Sequence, residues 1–567
     1  MKKVVEYLKP YALRMGIGFL IKFTGTIMDL LLPMILAYII DYVVPTEQID
    51  MVILWGILML FCSVAALLTN VIANRMAARV ARDTTRKIRR DLFSKITYLS
   101  CRQSDEVGIP SLEARLTSDT YHLHQMVDRM QRLGVRAPIL LVGGIFLTLS
   151  LDPVLTIVLV IVLILVGFVV IFISRKGIPR YRILQKSVDR MVRMVRESAS
   201  GIRIIKALSK TDHEKAHFDD VNHHVVQSET TAAVAMAASN PLMNLFLNIG
   251  LIFVITVGAY RVNSGLTQPG TIVAFLSYFI IIINAMLSVN RMFILYSKGS
   301  ASAGRISEIL DMPEDLLLQD ENILNEKYHI VFDHVSFSYN GNINNLEDIS
   351  FQLKQGETLG IIGPTGCGKS TIINLLIRFY DADRGNIRIG GHNVDTIPFE
   401  ELYQKFGIVF QNDVVLAETI AENIAFGREF SLEDIKEAAI HAQAEPFISE
   451  MEENFSYKVS SRGTNLSGGQ KQRVLIARAL AGKPEVLILD DSSSALDYLT
   501  DSLLRQTLRE NYNDTTTIII AQRVSSIQHA EHILVLDDGR ILGSGTHEEL
   551  LDSCEEYKDI YTVQMQG

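Results

Sequence analysis

GPTGCGKST, residues 363–371, decides the fold of the second half of this chain. It satisfies the spacing G-x-x-x-x-G-K-[ST] and stands where that pattern has physical meaning, after the apolar run ETLGIIG and before the helical pattern TIINLLIRF. Gly363, Gly366 and Gly368 let backbone N–H groups wrap a phosphate chain. Lys369 brings a cation to the β- and γ-phosphates, and the Ser370 hydroxyl suits magnesium. Cys367, inside the loop, reads as a neutral filler. Further on, VLILD (486–490) is a buried-strand pattern that delivers Asp490, whose carboxylate can hold magnesium through water. From Ile330 onward short β-rich runs alternate with helical patterns, as in a parallel α/β domain.

The first half is of another kind. A chain of 567 residues is too long for one core, and its 48% hydrophobic content is concentrated before about residue 300. VLTIVLVIVLILVGFVVIFI (154–173) carries no charge and is long enough to cross roughly 30 Å of hydrocarbon as a helix. Five further spans fall at about 12–42, 51–74, 134–151, 236–262 and 270–297. Basic residues crowd the stretch after the second span (Arg75, Arg79, Arg82, Arg86, Lys87) and the stretch after the fourth (Arg175, Lys176, Arg180, Arg182). DYVVPTEQID (41–50) has none, so the termini and both long connections are expected in the cytoplasm. The N-terminus reads as an interfacial helix and not a cleaved signal. A net charge of −9 excludes a nucleic-acid footprint, and four scattered cysteines exclude a disulfide framework.

LSGGQ, 466–470, followed by KQRVLIARAL, completes the set. With it the chain resembles the ATP-binding cassette (ABC) exporters over essentially its whole length. The resemblance implies an all-α six-helix transmembrane domain (1–300), a linker (301–327) and an α/β P-loop nucleotide-binding domain (328–567). It implies ATP and Mg2+ as cofactors, held by the loop residues Gly363, Pro364, Thr365, Gly366, Cys367, Gly368, Lys369, Ser370 and Thr371. Tyr339 fits the aromatic that stacks on adenine, and Gln411 the glutamine that senses magnesium beside Ser370 and Asp490. SALD (494–497) fits the loop that crosses the dimer interface. In this family two cassettes pair head to tail, so that Ser467, Gly468, Gly469 and Gln470 of one subunit meet the γ-phosphate on the other. One cassette and one set of spans make the chain half of a dimer.

Two positions depart from the family pattern. Asp491 stands where the family places the Glu that positions the attacking water, and Gln522 where it places a His at the γ-phosphate. One methylene leaves the Asp491 carboxylate about 1 Å short, a misplacement that costs around 10²-fold. An amide can bond a phosphate but carries no proton or positive charge. Ser461, where such exporters often have Glu, points the same way. The paired losses beside an unaltered LSGGQ resemble the degenerate-site half of a heterodimeric multidrug-type exporter. They imply a second half-transporter with a standard Glu and His but an altered signature. The resemblance implies a bacterial plasma membrane, a cytoplasmic cassette and a drug-like or lipidic substrate. The alternatives are a homodimeric lipid or peptide exporter, an ATP-gated channel or regulator, and an importer on the same fold.

Polar residues inside spans are costly, which makes Asp29, Asn284, Asn290 and Arg291 candidates for the substrate path. Lys22 reads either as snorkelling or as lining the cavity. The resemblance places coupling helices near 108–120 and 201–218, docked on the cassettes near Gln411.

Overall fold

Asp152 starts the helix that holds the most apolar of the six candidate membrane stretches among the described residues. Its Oδ1 accepts from the N–H groups of Val154 (2.9 Å) and Leu155 (3.2 Å), and Pro153 occupies the first helical position. The helix runs Pro153–Ser200. One face, with Leu155, Leu159, Val162 and Val166, is buried. The opposite stripe (Ile157, Ile161, Ile164, Phe168) is exposed at helical spacing. An exposed stripe this apolar suits lipid and not water.

The computed structural model describes the chain apart from residues 238, 320–326, 342, 493 and 567 and the side chains at 170, 174, 235, 236, 239, 240, 290 and 566. It divides into two compact units, Met1–Ile96 with Pro110–Asp311, and Thr97–Ile109 with Met312–Gly567. The first unit is helical: α1 (Lys2–Leu8), α2 (Ala12–Tyr38), α3 (Ile49–Thr97, its last residue in the second unit), then, beyond a helix of the second unit, α5 (Ile109–Ala114, its first residue in the second unit) and α6 (Thr120–Leu151). It continues through α7 (Pro153–Ser200), α8 (Ile202–Ala207), α9 (Thr211–Ala237), α10 (Ser239–Asn263) and α11 (Pro269–Leu310). Among the described residues six helical stretches are long and apolar enough to cross a membrane. With 49 residues, α3 is about 70 Å long, more than twice the hydrocarbon thickness. The last span continues through Leu310, past the expected boundary at 300.

Close helix packing depends on small residues. A Cβ on Gly250 of α10 would lie 2.4 Å from Phe279 Cζ of α11. Polar groups pair across helices: the Lys22 ammonium is buried and donates to Asn74 Oδ1 at 3.0 Å. At the far end of α10, Arg261 Nε donates to Asp152 Oδ2 at 2.8 Å, and Asp152 is only 2% exposed. Removing one member of such a pair leaves a buried charge alone. Arg261→Met is expected to cost about 3 kcal/mol, read as earlier unfolding of the solubilised chain in denaturant.

Among the described residues the second unit carries ten strands: β1 (Ile330–Phe337), β2 (Leu346–Leu353), β3 (Thr358–Ile362), β4 (Arg384–Ile389), β5 (His392–Asn393), β6 (Phe406–Val409), β7 (Val486–Asp490), β8 (Thr516–Ile520), β9 (His532–Asp537) and β10 (Arg540–Gly545). A four-stranded antiparallel sheet has the order β2-β1-β4-β5. A six-stranded sheet has the order β10-β9-β3-β8-β7-β6, parallel except for β10. All five residues of β7 are buried, as befits a central parallel strand covered on both faces. Helices α12 (Lys369–Leu376), α13 (Gly468–Leu480), α14 (Tyr498–Asn511) and α15 (Glu555–Gln566) serve the site.

One helix from the first long connection belongs to this unit. It is α4 (Cys101–Val107), begun by Ser100, whose Oγ accepts from Gln103 N, and ended at Gly108 with φ +79°. Ser100 Oγ donates to Asp315 Oδ2 (2.6 Å), Gln103 Nε2 to Pro313 O (2.8 Å) and Tyr380 Oη to Asp105 Oδ2 (2.5 Å). The docking segment is therefore 101–107, short of the expected 108–120. The cap at Ser100 and the left-handed glycine set its limits, and from Pro110 the chain belongs to the first unit.

Candidate nucleotide site

Strand β3 ends at Ile362, and the chain turns through 363–368 into α12. A Cβ at Gly363 would meet Leu536 O at 2.1 Å, and Gly368 has φ +103°, so neither position accepts another residue without displacement. The Lys369 ammonium lies within the loop, donating to Gly363 O (2.8 Å) and Pro364 O (2.7 Å). Cys367 is buried, and burial pushes its thiol up against the opposing pull of Lys369. Thr365 and Gly366 are exposed at the loop tip.

Parallel pairing of β3 with β8 and of β8 with β7 brings the end of β7 to this loop. Ser370 Oγ donates to Asp490 Oδ2 at 2.9 Å. Asp490 is buried; burial raises its pKa, Asp491 adds to the rise, and Ser370 and Lys369 oppose it. A hydroxyl and a desolvated carboxylate in contact beside a lysine form a donor set that fits magnesium. Among the described residues no group of three or more His, Cys, Asp or Glu side chains offers another metal site.

The two departures meet. Gln522 Nε2 donates to Asp491 Oδ2 at 2.9 Å. Asp491 has φ +51°, in the left-handed region, and its N–H donates to Ile520 O at 3.0 Å. The segment after β8 is clamped from α15, where Gln564 Nε2 donates to Gln522 O (2.8 Å) and Gln564 Oε1 accepts from Val524 N (2.8 Å). Gln564 lies in no motif, and nothing in the sequence marked it.

Tyr339 follows β1, and its hydroxyl donates to Thr371 Oγ1 (3.4 Å) and accepts from Asn374 Nδ2 (3.2 Å). These bonds set the ring beside the phosphate-loop helix. Gln411 is exposed beyond the end of β6. LSGGQ lies elsewhere on the unit, at the start of α13. Ser467 Oγ accepts from Gln470 N (3.2 Å) and Gln470 Oε1 accepts from Ser467 N (2.9 Å), a reciprocal cap that leaves Gly468 and Gly469 N–H groups at a helix N-terminus. Among the described residues no hydrogen bond joins it to the phosphate loop of the same chain.

In the first unit Asp29 and Asn284 line one cavity of about 410 Å³ with Arg136 and Ser288. Arg136 Nη2 donates to Asp29 Oδ2 at 3.0 Å, a partner that the pattern of charges within spans did not single out. Arg291 is exposed and outside this cavity, and the Asn290 side chain lies outside the described residues.

Six helices fit to cross a membrane, joined to a phosphate-loop sheet with LSGGQ at a helix start, define an ATP-coupled membrane transporter. The chain belongs to the ABC transporter family: residues 15–286 match its transmembrane region and 346–494 its ABC transporter domain. It is 34% identical over 568 residues to the "Uncharacterized ABC transporter ATP-binding protein YfiB" of Bacillus subtilis, covering 100% of this chain and 98% of that protein. It is 31% identical to the "Putative ABC transporter ATP-binding protein exp8" of Streptococcus pneumoniae, covering 100% and 97%. The fold matches a solved bacterial Atm1-family ABC exporter with ATP bound, with a TM-score of 0.82, 24% identity and 98% of each chain covered. The helical domain followed by an α/β nucleotide-binding domain is thus the ABC exporter fold, and the chain is a membrane protein of an ATP-binding transport family.

Proposed function

We propose that this chain is the degenerate-site subunit of a heterodimeric ABC exporter that moves drug-like or lipidic compounds out of a bacterial cell. The cassette and both termini face the cytoplasm. The chain's own phosphate loop binds ATP through Lys369, Ser370 and the backbone of 363–371, with Tyr339 on the adenine. Ser370, Asp490 and Gln411 would hold Mg2+, which supplies charge neutralisation of the phosphates. Hydrolysis at this site is slow because neither Asp491 nor Gln522 suits the attacking water. Ser467–Gln470 completes the faster site on the phosphate loop of the partner, which carries the standard Glu and His. Asp29, Asn284, Asn290 and Arg291 belong to the substrate path.

One observation carries the reading: the bond from Gln522 Nε2 to Asp491 Oδ2. It ties the short carboxylate to an amide at the position nearest the chemistry, while the reciprocal cap of LSGGQ is complete. The test is ATP hydrolysis by the purified chain alone and with its partner. Turnover by the lone chain is expected about 100-fold below that of the complex, the cost of a misplaced water-positioning group. Equal turnover would identify a homodimer with two working sites.

A further inference from the structure

Tyr380 touches two parts of the second unit that have different duties. Its ring packs edge-on against Tyr339, with centroids 5.0 Å apart and planes at 89°. Its hydroxyl donates to Asp105 Oδ2 on α4 at 2.5 Å. Tyr339 packs edge-to-face on Phe337 at 4.8 Å, and its hydroxyl is bonded beside the phosphate-loop helix. The Tyr339 ring therefore cannot tilt toward a base without moving its contact with Tyr380. The other end is equally defined. Helix α4 continues the chain from α3 and leads through Gly108 into α5, so a shift of α4 is a shift of the chain joining two membrane helices. Ser100 and Gln103 fix its first turn to Asp315 and Pro313, and Asp105 bonds its second turn to the nucleotide side.

We propose that Tyr380 is a positioning residue that reports occupancy of the base-stacking ring, Tyr339, to helix α4, so that the docking of α4 depends on the nucleobase as well as on the phosphates. The proposal rests on Tyr339 being the ring that stacks on adenine. A ligand of the phosphate loop without a base fills the Lys369 site and leaves the Tyr339–Tyr380 pair as it is. A nucleotide with a purine adds a base to the face of Tyr339 and so fixes the angle at which Tyr380 offers its hydroxyl to Asp105. The hydrogen bond is to a carboxylate and is correspondingly strong, so its geometry can set the position of a seven-residue helix.

The chain carries its own reporter. Cys101, at the start of α4, is half-buried, whereas Cys62, Cys367 and Cys554 are buried. Burial, with the Asp105 charge on the same helix, raises the Cys101 thiol, so loosening α4 relieves the burial and increases its reactivity. The full-length chain in nanodiscs is alkylated with N-ethylmaleimide, with the modified peptide read by mass spectrometry, alone, with Mg-ATP and with Mg-tripolyphosphate. Bound ATP is measured in parallel with radiolabel. Mg-ATP is expected to slow Cys101 alkylation roughly tenfold, the shift that one hydrogen bond to a charged group supports, and tripolyphosphate by less than about twofold. Tyr380→Phe keeps the ring and its packing; it should abolish the ATP effect while leaving ATP affinity within about threefold. Asp105→Asn retains a weaker acceptor and should keep part of the effect.

Equal protection by tripolyphosphate, or a full ATP effect in Tyr380→Phe, overturns the proposal. So does an unchanged Cys101 rate with ATP demonstrably bound. A Tyr339→Ala chain that binds ATP as well as wild type refutes the base-stacking reading itself, a different failure.

Discussion

Restoring both side chains together, Asp491→Glu with Gln522→His, raises ATP hydrolysis by the purified chain about 100-fold, while either change alone gives about threefold or less. The reason is mechanical. The Asp491 backbone is held in the left-handed region at φ +51°, and its N–H is bonded to Ile520 O, so the backbone cannot advance to make up for a short side chain. Its carboxylate is also occupied, since Gln522 Nε2 donates to Oδ2. Glutamate alone gains reach but still faces an amide that bonds a carboxylate. Histidine alone frees that bond and leaves the carboxylate short. Residues in direct contact are where additivity fails. Phosphate release at saturating Mg-ATP from the four chains measures the coupling. A full gain from Asp491→Glu alone would make Gln522 a bystander. No gain from the double variant would mean that the site lacks something beyond these two groups.

What the sequence made legible was local. The phosphate loop is nine consecutive residues whose spacing is their geometry, and the strand that delivers Asp490 is an unbroken apolar run. Six apolar stretches gave six helices because a lipid-facing stripe such as Ile157, Ile161, Ile164 and Phe168 leaves no choice of environment. Pairings set by tertiary approach had no such imprint. Asp29 was visible as a charge in a span, but its partner Arg136 is 107 positions away. Lys22 was visible too, yet its burial against Asn74 depends on how α2 meets α3. Gln564 reaches the segment after β8 from α15, 42 positions beyond Gln522. The docking helix falls before the stretch that the motif pattern suggests because its limits are a serine cap and one glycine of positive φ, both common residues.

Ser467→Arg in the complex of this chain with its partner is expected to lower ATP hydrolysis and transport more than about 100-fold, whereas Asp491→Asn leaves both within about threefold. The contrast follows from the proposed pairing, in which each residue serves a different phosphate loop. Asp491 lies in its own chain's site, where it is already tied to Gln522. Ser467 opens α13, and among the described residues its side chain is bonded only to Gln470, with the Gly468 and Gly469 N–H groups beside it. Those donors are fixed before any ligand arrives, which is the condition for electrostatic stabilisation without reorganisation. Arginine removes the acceptor that caps the helix, worth about 1 kcal/mol, and fills the approach of a phosphate with a long side chain. Ser467→Ala separates the two effects: it removes the cap without the bulk and should cost about tenfold. Tight binding of labelled ATP by the variant complex would show that the loss is in turnover and not in loading. If Ser467→Arg spares the complex and Asp491→Asn abolishes it, the working site is the one on this chain's own phosphate loop, and the division of labour between the subunits runs the other way.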